Sequence, residues 1–418
     1  MLKEKKRVLI IAYHYPPLAG AGMLKIYRTS RYLPQFGWEP LVLTVKNPEP
    51  YHRADNPIPA GVRVFRSWRI PGGNLLARVL RRFKIDERSL LLPDQHVLWI
   101  PATFIYGLYL IVRYRVDLIY VTGPPYSALI VGALLKAITH RPLVVDVRDP
   151  WSFNAARRGY PSKIHRWLDA FFEKWVLKLA NSITCIYQIT ADGYRRLYSW
   201  TGAKIAVFYD TVDLNDLPVQ VKLYSIFTLT YLGSFYPPFH SLEATLQAIQ
   251  MLLEQEEIDP ARFRFNYVGP PDKTFDRLVA QFKITAVVNQ TGYQPLKEAQ
   301  LEAAKSQMLL LLLEFATINT KLFDYLATGN TILAVVPEFK ELSDLLERYA
   351  DRYYRVTDNN YREIAATIKQ CYHDYYCTVM SKNQVKLEQF KAELNIEKET
   401  QQLAEIFQNV AFKKAKDV

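Results

Sequence analysis

Lys321 and Asp324 stand three residues apart in a segment, Asn319 to Gly329, that reads as a short helix entered through polar residues and closed by a glycine. Side chains at i and i+3 share a helix face, so an ammonium and a carboxylate there can address one ligand. An apolar run from Met308 to Leu313 precedes the segment and ends at Glu314, and a second apolar run opens at Thr331. A strand, a loop, a helix start and a Lys/Asp pair are the parts that hold a nucleoside diphosphate. The backbone N–H groups around Asn319, Thr320 and Leu322, together with Lys321, suit the phosphates, and Asp324 suits ribose hydroxyls.

Five other loops carry residues of interest. His14 to Met23 holds two prolines, Gly20, Ala21 and Gly22 before a helical pattern, which permits close backbone approach at a helix start. It is not the dinucleotide fingerprint, and a plain strand–helix turn is the alternative. Val145-Asp146-Val147-Arg148-Asp149-Pro150-Trp151 ends an apolar run with two carboxylates and an arginine. Buried charge is costly unless paired or used. Either Arg148 bridges to Asp146 and holds the strand end, or Asp149 reaches a sugar hydroxyl. Tyr231-Leu232-Gly233-Ser234 and Val268-Gly269-Pro270-Pro271 leave room for a phosphate or sugar, and Thr291-Gly292-Tyr293-Gln294 offers a ring to a base. Thr122 to Ser127 reads as a structural turn, with Ser127 placed to cap the following helix.

These loops need a frame. Apolar runs at Arg7–Tyr13, Glu39–Val45, Val62–Ser67, Asp117–Thr122, Pro142–Val147, Ser182–Tyr187 and Ala203–Phe208 alternate with helical patterns, as do Phe227–Leu232, Phe263–Val268, Ala286–Gln290, Met308–Leu313, Thr331–Val336 and Tyr353–Val356. Such alternation predicts parallel sheets covered on both faces, hence an α/β fold of two doubly wound Rossmann-like domains facing each other across a cleft. Boundaries are expected at 1–210 for the first domain and 211–385 for the second, with a polar helical tail at 386–418.

With 418 residues, half of them hydrophobic, the chain has material for two cores. Residues 1–210 hold 31 basic and 14 acidic side chains, a net of +17, and the remainder holds 22 and 27, a net of −5. The first half is therefore expected to face something anionic. Three cysteines without ligand spacing fit a reducing, cytoplasmic setting. The apolar runs at the amino end and at 97–112 are too short for a signal peptide or a membrane span. No phosphate-loop lysine motif, no Asp-x-Asp pair, no histidine ligand spacing and no Gly-x-Ser-x-Gly elbow occurs, so no metal is expected and metal or serine hydrolysis is demoted.

The chain resembles a family 4-like glycosyltransferase of the GT-B fold. The resemblance is carried by Tyr15-Pro16-Pro17 with Gly20 and Gly22, by Thr122-Gly123-Pro124-Pro125, by Arg148-Asp149-Pro150-Trp151, by Tyr231-Leu232-Gly233-Ser234, and most specifically by Lys321 through Gly329. It implies a nucleotide-sugar donor bound in the second domain (211–385), an acceptor bound in the first (1–210), the tail 386–418 packing back on the first, and neither metal nor other cofactor. The family's paired glutamates map onto Ala316 and Asp324, with Glu314 nearby but out of register; its basic diphosphate residue falls near His240, so Lys321 is expected to supply that charge.

On that footing the donor-binding residues are Gly233, Ser234, Tyr293, Glu314, Asn319, Thr320, Lys321, Leu322 and Asp324. The acceptor-binding residues are Gly20, Ala21, Gly22 and Arg148, and the catalytic ones Asp149, His14 and Lys321. Retention is expected, and the acceptor is expected to be lipid-linked or a polysaccharide. The basic segment Arg69–Lys84 would meet an anionic membrane surface. No nucleic-acid module is present. A catalytically silent scaffold, prompted by Ala316 and His240, and a nucleotide-sugar epimerase on the same fold are the competing readings.

Overall fold

The computed structural model describes residues 5–18, 21–48, 56–70, 82, 91–154, 160, 162–218, 221–234, 242–313, 317–357, 359–377 and 384–416. The chain divides into two units, Met1–Asp210 with Ile396–Val418, and Thr211–Asn395. Among the described residues no helix is long and apolar enough to cross a membrane.

The first unit holds strands β1 (Lys6–Ile11), β2 (Trp38–Val45), β3 (Arg63–Ser67), β4 (Leu118–Gly123), β5 (Leu143–Val147), β6 (Ser182–Cys185) and β7 (Ile205–Val207). All pair in parallel, in the order β3-β2-β1-β4-β5-β6-β7. Alternate residues of a strand point to opposite faces. Leu9 and Ile11 accordingly enter one core with Leu41, Leu43, Ile119 and Val121, and Val8 and Ile10 enter another with Val42, Leu118 and Tyr120. Burial on both faces is why these strands read as continuous apolar runs.

The second unit repeats the plan with β8 (Phe227–Leu232), β9 (Phe263–Val268), β10 (Val288–Gln290), β11 (Met308–Leu312), β12 (Thr331–Val335) and β13 (Tyr353–Val356), ordered β10-β9-β8-β11-β12-β13. The winding direction reverses between β1 and β4 in the first sheet and between β8 and β11 in the second. In such sheets the crevice beyond the carboxyl ends at the reversal is where ligands bind.

Some boundaries differ from the pattern-based reading for local reasons. The first helix runs Ala21–Tyr32 and passes into a 3₁₀ turn, Leu33–Phe36, because Pro34 lacks an amide N–H. Ser127 does not cap its helix with an accepting oxygen; its hydroxyl and backbone N–H both donate to Asp94, which takes over the capping. The polar tail is not one helix returning from residue 386. Helix Gln384–Glu393 stays with the second unit, where buried Phe390 meets the edge of Tyr349 at 5.9 Å and Glu393 accepts from the Tyr349 hydroxyl at 2.7 Å. Only helix Ile396–Lys416 joins the first unit, where buried Phe407 packs edge-on against Trp38 at 5.3 Å. Burying such a ring stabilises by roughly 1.5–3 kcal/mol, so the chain's last helix is part of the first unit's core.

Candidate functional site

In the second unit the chemistry gathers at the β8/β11 reversal. Helix Thr320–Thr328 starts there, with the Asn319 side chain accepting from the Leu322 N–H at 3.3 Å and Gly329 closing the helix at φ 64°. Leucine-rich β11 and the apolar Leu322, Phe323, Leu326 face of this helix bury its underside. Strands β8 and β11 pair only at Met308↔Leu229 and Leu309↔Thr230, then diverge. The Tyr325 hydroxyl bridges the gap, accepting from the Leu232 N–H at 3.0 Å and donating to the Leu310 carbonyl at 3.2 Å.

One helical turn earlier, Lys321 reaches the mouth of the same gap. Its Nζ donates to the Tyr231 hydroxyl at 3.1 Å and lies 4.5 Å from the centroid of that ring. Among the described residues no carboxylate pairs with it, and burial pushes its pKa down to about 8. The half-buried ammonium therefore stands at a helix start with only a phenol and a π face for company. The Asn319 Nδ2 beside it is buried and has no hydrogen-bond partner. A cation that loses solvation without gaining a counter-charge is primed to gain from an anion.

Two tyrosines carry the loops that border the ammonium. Tyr231 and Tyr267 lie opposite each other in β8 and β9 and stack at 6.2 Å. Each donates its hydroxyl to a carbonyl three residues on, Tyr231 to Ser234 at 3.2 Å and Tyr267 to Pro270 at 2.9 Å. The Gly233 N–H donates to the Val268 carbonyl at 2.8 Å, joining the two loops. Gly233 sits at φ 116°, and a methyl group on it would lie 2.5 Å from Lys321 Nζ. Gly233→Ala is thus expected to cost about 1–3 kcal/mol in strain and to displace the ammonium. Urea unfolding reads the first effect and diphosphate affinity the second; an alanine variant as stable and as tight as the parent would contradict this geometry.

Asp324 turns to the neighbouring helix Leu296–Lys305, where buried Gln300 donates to its Oδ1 at 2.8 Å. Lys321 and Asp324 thus look to different neighbours across one helix end. Ser234 is exposed. Tyr293 is exposed on the loop after β10, two strands from β8, following Gly292 at φ 75°. Glu314, Ala316 and His240 lie outside the described residues.

In the first unit His14, Gly22 and Arg148 come together at the carboxyl ends of β1 and β5. A Cβ on Gly22 would stand 3.5 Å from both His14 Nδ1 and Arg148 Nη1. Burial, then His96 and Arg148, lower the His14 pKa to about 4, so its imidazole is neutral near pH 7. The pairing of the strand-end charges removes one of the two alternatives read from the sequence. Arg148 does not bridge to Asp146: its Nη2 donates to Asp210 at 2.6 Å and its Nη1 to the Gly22 carbonyl at 2.8 Å. Asp146 instead takes Lys25 Nζ at 3.1 Å, Thr184 at 2.7 Å and Thr122 at 2.8 Å.

Arg148 thereby holds the glycine at the helix start and Asp210, where the chain leaves for the second unit, a positioning task. Asp149 is exposed at the end of β5, and the loop it opens is fixed from below, where Trp151 Nε1 donates to buried Asp169 at 2.8 Å and the Trp151 N–H to the Tyr194 hydroxyl at 3.0 Å. Burial raises the Asp149 pKa and Arg148 opposes it; with the side chain this open to solvent, water screens both effects. Gly20 and the Ala21 side chain lie outside the described residues.

Sequence reasoning did not single out Tyr231, Tyr267, Tyr325 or Gln300 as part of this site. A signal was present for the first two: Tyr231-Leu232-Gly233 and Tyr267-Val268-Gly269 repeat one pattern at one strand register. Among the described residues, no three His, Cys, Asp or Glu side chains cluster so as to hold a metal ion.

Residues 20–210 match the family described as "Glycosyl transferase 4-like domain". No curated protein sequence matches the chain. Sucrose-phosphate synthase from Thermosynechococcus elongatus is similar in structure at 13% identity and a TM-score of 0.68, over 97% of this chain and 99% of that one. Anabaena HepE in complex with UDP is similar at 14% identity and 0.62, over 96% and 100%. WaaG, described as a glycosyltransferase involved in lipopolysaccharide biosynthesis, is similar at 10% identity and 0.63, over 96% and 99%. These structures share the two-sheet architecture: the protein has the GT-B fold, and its residues 20–210 match the glycosyl transferase 4-like domain.

Proposed function

We propose that the protein moves a sugar from a nucleoside-diphosphate sugar, bound in the second unit, to a lipid-linked or polysaccharide acceptor bound in the first. The observation that carries this reading is Lys321, an ammonium at a helix start on the β8/β11 reversal that donates to the Tyr231 hydroxyl and meets no carboxylate among the described residues. UDP in the HepE structure and the lipopolysaccharide role of WaaG support the choice of donor and acceptor class.

The chemistry follows from charge. As the bond from sugar to diphosphate breaks, negative charge grows on the β-phosphate. Lys321 and the N–H groups at the helix start neutralise that charge, so no metal or other cofactor is required of the mechanism. Asp324, steadied by Gln300, takes the ribose hydroxyls, and the phenyl ring of Tyr293 and the Gly233–Ser234 backbone line the donor. Neutral His14 and Asp149 orient sugar hydroxyls, and Arg148 keeps the Gly22 loop in place. Transfer proceeds with retention by attack on the face the diphosphate leaves, and the departing phosphate takes the acceptor proton.

Binding of diphosphate should report on Lys321 directly. Its folded pKa of about 8 lies below the ordinary 10.5, so it is charged below pH 8 and loses the charge above. Affinity for UDP, ADP or GDP should then hold from pH 6.5 to about 8 and fall about tenfold per unit beyond, with proton uptake on binding near pH 8. Calorimetry in buffers of different ionisation enthalpy measures both quantities. No binding of any nucleoside diphosphate, or binding that is flat to pH 10, would remove the basis for the proposal.

A further inference from the structure

The helix Lys163–Leu179 in the first unit turns an unusual face to solvent. Its two carboxylates point inward: Asp169 and Glu173 are fully buried and take hydrogen bonds from Trp151, Tyr160, Tyr194 and Tyr198. The opposite arc carries Ile164, 68% exposed, Trp167, 64%, and Phe171, 50%, with the last two rings stacked at 5.8 Å. Lys163, Arg166, Lys174 and Lys178 are exposed alongside them. No exposed acidic residue interrupts this arc, and no carboxylate pairs with its cations among the described residues.

Anchoring the carboxylates in the core leaves an outer face of cationic and large apolar side chains. Large apolar side chains in contiguous contact on a surface mark an interaction site, and a solvated helix face would not expose a tryptophan, a phenylalanine and an isoleucine together. The charge selects the partner. Lysines and an arginine around an indole match a bilayer interface with anionic headgroups: the rings enter the headgroup–acyl boundary and the ammonium groups meet the phosphates.

We infer that Ile164, Trp167 and Phe171, with their basic surround, form a docking face for an anionic lipid bilayer. These residues are not those of the basic segment Arg69–Lys84, of which 71–81, 83 and 84 lie outside the described residues. It requires no sugar transfer, so it stands or falls independently of the proposed function.

The test is sedimentation of the full chain with phosphatidylcholine vesicles, with and without phosphatidylglycerol, in the absence of donor. The parent protein should bind only the anionic vesicles, and Trp167→Ala with Phe171→Ala should weaken that binding about tenfold or more. Lys163→Glu with Lys174→Glu should abolish the preference for phosphatidylglycerol. Urea unfolding should match the parent in both variants, since all four side chains are exposed. Undiminished binding by the aromatic variant would overturn the inference, as would loss confined to charge reversals within Arg78–Lys84. Failure of the parent to bind, together with a self-association that the aromatic substitutions abolish, would assign the face to a second copy of this chain instead.

Discussion

Lys321→Ala is expected to lower sugar transfer about 10²- to 10³-fold while leaving the protein folded, the loss that follows removal of one preorganised charge-stabilising donor. The two readouts move apart for one physical reason. In the free protein the ammonium is partly desolvated, and Tyr231 is its one hydrogen-bond partner among the described residues, so its charge is a cost to the fold. Between pH 8 and 10.5 the unfolded chain holds a proton at this position that the folded chain has released, so the parent's stability contribution from Lys321 grows as pH rises through that window. Below pH 8 the cost is present in full, and Lys321→Met, which keeps the packing, should melt no lower than the parent at pH 7. Steady-state transfer and thermal unfolding on the same variants check this. A variant that transfers normally would show that the diphosphate is held elsewhere, and one that unfolds would make Lys321 a structural residue.

The buried charges of the first unit should behave in the opposite way. Asp146→Ala is expected to destabilise by about 3–5 kcal/mol, because Lys25, itself buried, is left without its counter-charge. Burial alone would raise the Asp146 pKa, but Lys25, Thr184, Arg148 and Thr122 together hold it below the usual 3.8. A depressed carboxylate contributes stability that is complete above its unfolded pKa and is lost as pH falls through the folded one, so the parent should outlast Asp146→Ala least in strong acid. Replacing both partners, Asp146→Leu with Lys25→Met, should recover most of the loss, since two apolar groups of similar size remove the desolvation cost along with the attraction. Urea unfolding at pH 7 compares the three. Equal stability of the single and double variants would mean that the pair is not the source of the effect.

The contrast between Lys321 and Lys25 explains why the site was only partly legible. Both are lysines near the start of a helix that follows a parallel strand, and local spacing treats them alike. Lys25 is neutralised by Asp146, a residue 121 positions away that arrives through β5, and Lys321 meets Tyr231, 90 positions away on β8. Which lysine is paired depends on strand order. The Arg148–Asp146 bridge, one of the two alternatives the spacing left open, does not form for the same reason: residues two apart on a strand lie on one face, but the available partner, Asp210, comes from beyond β7.

By itself the sequence determined what short-range physics controls. Apolar runs with turn residues between them gave thirteen strands in two series, and the polar entry and glycine exit marked helix Thr320–Thr328 within a residue. Lys321 and Asp324 were assigned to one helix start because helical periodicity is local. Tertiary structure alone decided that β8 and β11 part where Tyr325 fills the gap, that Gly233 abuts the Lys321 ammonium, that Asp324 answers to Gln300, and that the polar tail is shared between the two units. Those outcomes rest on contacts between residues tens to hundreds of positions apart, which packing and hydrogen bonding select only when the sheets assemble.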